Sequence, residues 1–106
     1  MIWQFPKIEH GIPTKWGWVV DYPDNFKLGY KTDIGRFTYI QAEYGVKIGR
    51  YTQIGGGTLI YSKDTQRNKR GKVVIGKNVR IGAQCLILPG VIIPDGAKIP
   101  AKSIVK

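Results

Sequence analysis

The chain has 106 residues, enough for one small domain, and its single cysteine, Cys85, excludes an intrachain disulfide and a cysteine-based zinc cluster. Lys and Arg number 17 and Asp and Glu 7, so the formal charge of +10 favours anionic partners without selecting one of them. The sequence contains no run of about 18 apolar residues and no secretory signal pattern. We therefore expect a cytoplasmic protein without membrane insertion.

The N-terminal stretch, residues 1–27, shows no regular pattern and is interrupted by three prolines. It holds all three tryptophans of the chain, Trp3, Trp16 and Trp18. Proteins built from stacked repeats need capped ends, because an end coil otherwise exposes open strand edges. We interpret residues 1–27 as an N-terminal cap that its aromatic residues pack. An aromatic binding platform is the functional alternative.

From residue 28 onward, an aliphatic residue recurs at every sixth position, apart from a two-residue slip near Gly45 and an interruption at 61–74. Six of these twelve residues are followed directly by glycine. Because side chains alternate along a strand, each aliphatic residue and the small residue two before it point into the same core. We expect the glycine where the chain turns sharply, often with positive φ. The twelve positions are Leu28, Ile34, Ile40, Ile48, Ile54, Ile60, Ile75, Ile81, Ile87, Ile93, Ile99 and Val105.

Three such strands and three corners form one triangular coil of about eighteen residues, and successive coils stack through parallel hydrogen bonding. Helices are not predicted, because the period is wrong and glycine and β-branched residues disfavour them. The sequence therefore predicts an all-β protein: a short parallel β-helix of about four triangular coils over 28–106. A polar, basic loop at 61–74 protrudes from it.

The run from Ile75 to Val91, IGKNVRIGAQCLILPGV, resembles the hexapeptide-repeat acyltransferases, and its most specific part is Ile-Leu-Pro-Gly-Val at 87–91. The resemblance covers roughly residues 28–106. It implies a left-handed β-helix, assembled as a homotrimer, with acetyl-CoA or another acyl thioester bound between neighbouring subunits. The layout is similar to enzymes of surface-polysaccharide and nucleotide-sugar synthesis, so the implied acceptor is a sugar or nucleotide-linked sugar.

Members of that family commonly use a histidine on or near the protruding loop as general base, because the pKa of imidazole lies near neutrality. The only histidine here is His10, outside the repeat. Asp64 on the loop is one candidate replacement, and His10 folding onto the loop of its own or a neighbouring subunit is another. The third interpretation is loss of catalysis, which leaves a non-catalytic trimeric β-helix that serves as a binding or scaffold protein. With a single histidine, we expect no metal site.

The loop supplies candidate groups for holding an acceptor, because it contains several basic residues and only one acidic residue. They could grip the pyrophosphate of a nucleotide sugar, and a merely solvated basic loop is the alternative. No known nucleic-acid motif accompanies the charge, so nucleic acid is not the expected partner. The candidate acceptor-binding residues are Ser62, Lys63, Thr65, Arg67, Lys69 and Arg70.

The resemblance also implies a groove, lined by backbone amides, for the arm of the thioester co-substrate. The matching residues are Gly82 and Ala83 in one coil and Ala101 in the next, and Lys102 and Lys106 could meet a phosphate. Proline stands at 94 and 100, where the family often has glycine, and removes backbone N–H donors from part of this groove.

Overall fold

The computed structural model describes residues 3–106, and within them the chain forms fifteen short strands and one 3-10 helix at Pro23–Asn25. Before the protruding loop the strands are β1 Val19–Asp21, β2 Phe26–Leu28, β3 Asp33–Ile34, β4 Tyr39–Gln41, β5 Val46–Ile48, β6 Gln53–Ile54 and β7 Leu59–Tyr61. The loop holds β8 Lys63–Asp64 and β9 Lys69–Arg70. After it come β10 Val73–Ile75, β11 Arg80–Ile81, β12 Leu86–Ile87, β13 Ile92–Ile93, β14 Lys98–Ile99 and β15 Ile104–Val105.

The strands stack into three parallel sheets that form the sides of a triangular prism. The first sheet contains β2, β5, β10 and β13, the second β3, β6, β11 and β14, and the third β1, β4, β7, β12 and β15. Each turn of the chain contributes one strand to each sheet, so four complete coils follow β1. This arrangement confirms the predicted all-β fold, a left-handed parallel β-helix of about four coils.

Every departure from the six-residue period lies at the corner between the third and first sheets. At this corner Ile48 lies eight positions after Ile40, whereas Ile93 lies six positions after Ile87. The loop at 61–74 leaves the prism at the same corner. The other two corners keep the six-residue spacing in every coil, so their backbones are superposed along the whole stack.

The interior is filled by the predicted aliphatic column, of which Ile40, Ile60 and Ile87 are fully buried. Thr38, Thr52 and Thr58, at small inward positions, each donate a hydrogen bond to a carbonyl of the next coil. Thr52 Oγ1 donates to the carbonyl of Gly76 at 2.7 Å and accepts from the N–H of Val79 at 3.2 Å. Because buried polar groups must be paired, these carbonyls allow a hydroxyl at positions that face the core.

The repeat glycines occupy their positions because neighbouring coils approach each other closely. The expectation of positive φ at these glycines was wrong, since none of the six adopts it; positive φ falls two residues later, as at Gln84 (58°). A side-chain carbon at Gly82 would lie 2.7 Å from Ala101 Cα, and one at Gly55 would lie 2.6 Å from Ala83 Cα. No side chain fits at that distance without separating the coils.

The N-terminal segment covers the first coil, and the β-helix begins inside it. Strand β1 lies within residues 1–27 and pairs with β4 in the third sheet. Trp18, which directly precedes β1, is buried in the core at 3 % exposure. No helix within residues 3–106 is long and apolar enough to cross a membrane.

The contact at the glycine corners can be tested with Gly82→Ala, which places a methyl group against the backbone of the next coil. We expect this overpacking to lower the free energy of unfolding by about 1–3 kcal/mol in urea denaturation. Gly96→Asn is the matched control, because Gly96 has φ of 75° and a side-chain carbon there would have no neighbouring atom within 4 Å. Asparagine tolerates that conformation, so a Gly82 variant as stable as this control would contradict the close-contact explanation.

Candidate functional site

A shallow groove of about 550 Å³ runs along the corner between the second and third sheets. Gly55, Gly82 and Ala101 form its edge, one from each of three successive coils. The outward side chains of the second sheet form its floor. They are Asp33, Gln53, Arg80 and Lys98, at equivalent positions of the four coils.

The backbone at this corner offers hydrogen-bond donors to the groove. The N–H of Gly82 bonds to the carbonyl of Ile99 in the next coil at 2.8 Å, so it points along the stack. The following N–H groups, those of Ala83 and Ala101, donate to no acceptor in the part of the chain that the structure describes, and both residues are exposed. Ala101 lines the groove, whereas Ala83 is not among its lining residues. An unpaired exposed amide is a donor that an external carbonyl can use.

The two prolines do not remove donors from the groove, contrary to the expectation from the sequence. Pro100 is equivalent to Gly82, and Pro94 is equivalent to Gly76, whose N–H bonds to the carbonyl of Ile93 at 2.9 Å. At both positions the backbone nitrogen therefore points along the stack and not into the groove. The prolines remove donors from the outer edge of the fourth coil, which disfavours pairing of another strand there.

The structure adds Arg80 and Lys98 to the predicted groove residues. They are direct neighbours in adjacent strands, both are exposed, and their charges converge on the groove floor. The repeat could have predicted that these two residues are outward-facing neighbours, because each directly precedes an inward isoleucine and they lie one coil apart. Lys102 and Lys106, which were predicted to meet a phosphate, are exposed and are not among the residues that line the groove.

The protruding loop is an antiparallel hairpin in which β8 pairs with β9. Asp64 stabilises its turn: Oδ1 accepts from the N–H of Gln66 at 3.2 Å and of Arg67 at 3.4 Å. Oδ2 lies 3.8 Å from Nε of Arg67. The candidate acceptor residues Thr65, Arg67, Lys69 and Arg70 are exposed on this hairpin.

At the base of the loop, Ser62 and Lys63 have structural partners. Ser62 was predicted to contact the acceptor, but its side chain is fully buried; Oγ donates to Gln41 Oε1 at 2.7 Å and accepts from the N–H of Tyr44 at 3.0 Å. The hydroxyl therefore holds the loop to the preceding coil. Lys63 Nζ lies 3.6 Å from Glu43 Oε1, which anchors the first strand of the hairpin.

His10 belongs to a polar cluster on the cap. Its Nδ1 accepts from the N–H of Tyr22 at 2.9 Å, and its Nε2 lies 3.8 Å from Asp21 Oδ1. Asp21 also accepts a hydrogen bond from Tyr39, whose pKa is raised, first by burial and then by that bond. Because Nδ1 accepts, the neutral ring carries its proton on Nε2 and has no free lone pair for a substrate proton. Within residues 3–106, no three His, Cys, Asp or Glu side chains are placed to hold a metal ion.

The groove and the loop lie at different corners of the prism. The groove follows the corner between the second and third sheets, whereas the loop leaves the corner between the third and first. The full width of the third sheet separates them. One chain therefore does not bring the candidate acceptor residues together with the candidate co-substrate residues.

Comparison with known proteins gives three similarities. Residues 72–106 match the family model described as bacterial transferase hexapeptide (six repeats). A putative acetyltransferase, YvoF of Bacillus subtilis (strain 168), is 42 % identical over 62 residues, which are 57 % of this chain and 36 % of the relative. This chain thus matches little more than a third of that relative's length.

The third similarity is to a solved structure. It is the crystal structure of an aspartate-to-alanine mutant of AntD, an N-acyltransferase from Bacillus cereus, in complex with dTDP and coenzyme A. The TM-score is 0.61 at 23 % sequence identity, and the match covers 89 % of this chain and 69 % of AntD. At that identity, the similarity demonstrates a shared fold.

The repeat, the stacked coils and the glycine corners define this molecule as a hexapeptide-repeat β-helix protein. Similarity to the bacterial transferase hexapeptide family extends over residues 72–106, and similarity to a putative acetyltransferase over 62 residues.

Proposed function

We propose that this protein transfers an acyl group, most simply acetyl from acetyl-CoA, to a sugar or nucleotide-linked sugar in surface-polysaccharide synthesis in the cytoplasm. The observation that carries the proposal is the groove, where the unpaired amide of Ala101 lies beside Arg80 and Lys98, with the unpaired amide of Ala83 at the equivalent position one coil earlier. The curated relative is named a putative acetyltransferase, and AntD is an N-acyltransferase solved with coenzyme A and dTDP. These names support the proposal for this chain without extending to its acceptor.

The groove suits the thioester co-substrate for chemical reasons. An acyl-CoA carries a long, narrow arm with two amide groups, and its carbonyls can accept from the N–H groups of Ala83 and Ala101. These donors lie one coil apart, a spacing of about 4.8 Å along the stack. Arg80 and Lys98 provide positive charge for the phosphates at the other end of the molecule.

A homotrimer would complete the site. The outward face of the third sheet carries Leu59, Leu86 and Ile104 in register, and Ile104 is 63 % exposed. This apolar face lies between the groove corner and the loop corner, so a subunit packed on it would contact both. We propose that the loop of one subunit reaches the groove of its neighbour, which brings the acceptor residues to the thioester.

In the proposed reaction, the acceptor oxygen or nitrogen attacks the thioester carbonyl, and the carbon–sulfur bond then breaks to release coenzyme A. The acceptor proton passes to Asp64, and the departing thiolate is protonated from solvent. Asp64 is preferred over His10 because it lies on the exposed loop with Arg67, whereas the Nδ1 of His10 is already bonded to the cap. The protein would contribute mainly by positioning the two substrates.

Ala83→Pro tests the amide donor without altering a side chain that contacts the arm. Proline should be tolerated, because Pro89 precedes Gly90 (φ of 81°) in a turn as Ala83 precedes Gln84 (φ of 58°). We expect acetyl-CoA affinity, measured by isothermal titration at moderate salt, to fall about fivefold through loss of one hydrogen bond. Ala83→Ser keeps the N–H and is the control; equal affinities of the two variants would show that this amide makes no ligand contact.

Asp64→Asn tests the proposed base, because asparagine keeps the oxygen that accepts from Gln66 and Arg67 but cannot take the proton. We expect turnover to fall about 10²-fold with nearly unchanged acetyl-CoA affinity. The assay follows release of the coenzyme A thiol with a panel of amino and hydroxyl sugars, free and nucleotide-linked. The melting temperatures of the parent and the variant show whether the substitution disturbs the turn. Full turnover of the variant would exclude Asp64 from the chemistry.

Leu86→Lys tests the proposed trimer interface. Burial of three lysines in an apolar contact is costly, so we expect the variant to sediment as a monomer where the parent sediments as a trimer. Ile92→Lys is the matched control, because Ile92 is also an outward aliphatic residue, 74 % exposed, but lies on the first sheet. A monomeric parent protein, or dissociation caused equally by both substitutions, would contradict this interface.

A non-catalytic trimeric β-helix is the second candidate function. Two observations favour it: no histidine lies on the loop, and the carboxylate of Asp64 is already bonded to the turn. Absence of saturable acetyl-CoA binding to the parent protein at moderate salt would select this function, because a merely basic surface loses its ligands as salt screens the charge.

A further inference from the structure

The three tryptophans of the N-terminal segment have different environments. Trp18 is buried in the core at 3 % exposure and accounts for the expected packing of the cap. Trp16 is 45 % exposed, and Trp3 is half-buried. Both line an open cleft of about 880 Å³ between the N-terminal segment and the first coil. Two large aromatic residues in an open cleft are not explained by core packing.

The aromatic walls of this cleft are held in place by mutual contacts. Trp3 meets Phe5 edge-to-face with ring centroids 4.7 Å apart, and meets Tyr30 in the same way at 5.5 Å. Tyr30 in turn contacts Tyr51 of the second coil at 6.2 Å. The β-helix therefore supports this wall through Tyr30, which gives a planar ligand a preformed stacking surface.

The charge of the cleft is positive. Lys7, Lys15 and Lys31 line it, and Asp33 is the only acid among its lining residues in the described chain. Lys15 Nζ lies 4.9 Å from the ring centroid of Trp16. Lys31 Nζ lies 5.6 Å from that of Tyr30. Cations next to aromatic faces are suited to a ligand that combines a flat ring with negative charge.

We propose that this cleft binds a nucleoside diphosphate, with the base stacked on Trp16 and the phosphates bound by Lys15 and Lys31. The volume is within the range of small-molecule sites. The cleft is distinct from the groove, although Asp33 lines both. Binding here requires neither the loop nor the amides of Ala83 and Ala101, so it is separate from the proposed acyl transfer.

The first measurement is titration of the complete protein with uridine diphosphate at moderate salt, followed by tryptophan fluorescence and calorimetry. We expect saturable binding near one site per chain, and at least tenfold weaker binding of uridine or inorganic pyrophosphate alone. Trp16→Leu and Lys31→Met should each weaken binding about tenfold, and Trp16→Phe should restore much of it by keeping an aromatic face.

Lys47→Met is the matched control, because Lys47 is an exposed outward residue of the first sheet and its loss changes the net charge equally. Equal weakening by Lys47→Met and Lys31→Met, or equal affinity for pyrophosphate and uridine diphosphate, would overturn the proposal in favour of a general basic surface. Unsaturable binding would also overturn it. Retention of uridine diphosphate by the Ala83→Pro variant is expected, and its loss there would show that the cleft and the groove are one site.

Discussion

The close approach of successive coils at two corners of the prism is the constraint on which the rest of this structure depends. Parallel strands stack about 4.8 Å apart, and at the corners the backbone of one coil contacts that of the next without intervening side chains. A carbon at Gly49 would lie 2.6 Å from the carbonyl of Gly76. The inward threonines work with this contact, since their hydroxyls bond the carbonyls at the same corners. Pairing in all three sheets follows from this spacing.

The same constraint produces the candidate site. Gly55 and Gly82 carry no side chain along the corner between the second and third sheets, because the backbone of the next coil lies against them there. One amide at each turn bonds along the stack, and the next is left unpaired, as Gly82 and Ala83 show. The unpaired amides are thus a consequence of how the coils stack. Arg80 and Lys98 add positive charge to the floor of this groove.

The sequence predicted the features that repeat and missed those that do not. Six-residue spacing of aliphatic residues determines which side chains point inward, so the core, the coils and the loop were all predicted. The pairing of Arg80 with Lys98 could have been predicted by applying the coil length to outward positions as well. Burial of Ser62 depends on Gln41 and Tyr44, which the corner insertion brings close. The cleft between the N-terminal segment and the first coil could not be predicted from the repeat, because its walls combine an irregular segment with Tyr30 of the first coil.

The positions of the groove and the loop give a physical reason why this β-helix would associate. A rigid three-sided prism cannot fold one corner onto another, so the Asp64 loop and the Ala83 amide remain apart in a single chain however its side chains move. The apolar face carrying Leu59 and Leu86 lies between those two corners. Three copies around an axis parallel to the prism would bury this face and place the loop of each copy near the groove of the next. In such an assembly, the interface that adds stability to a small domain would also complete its site.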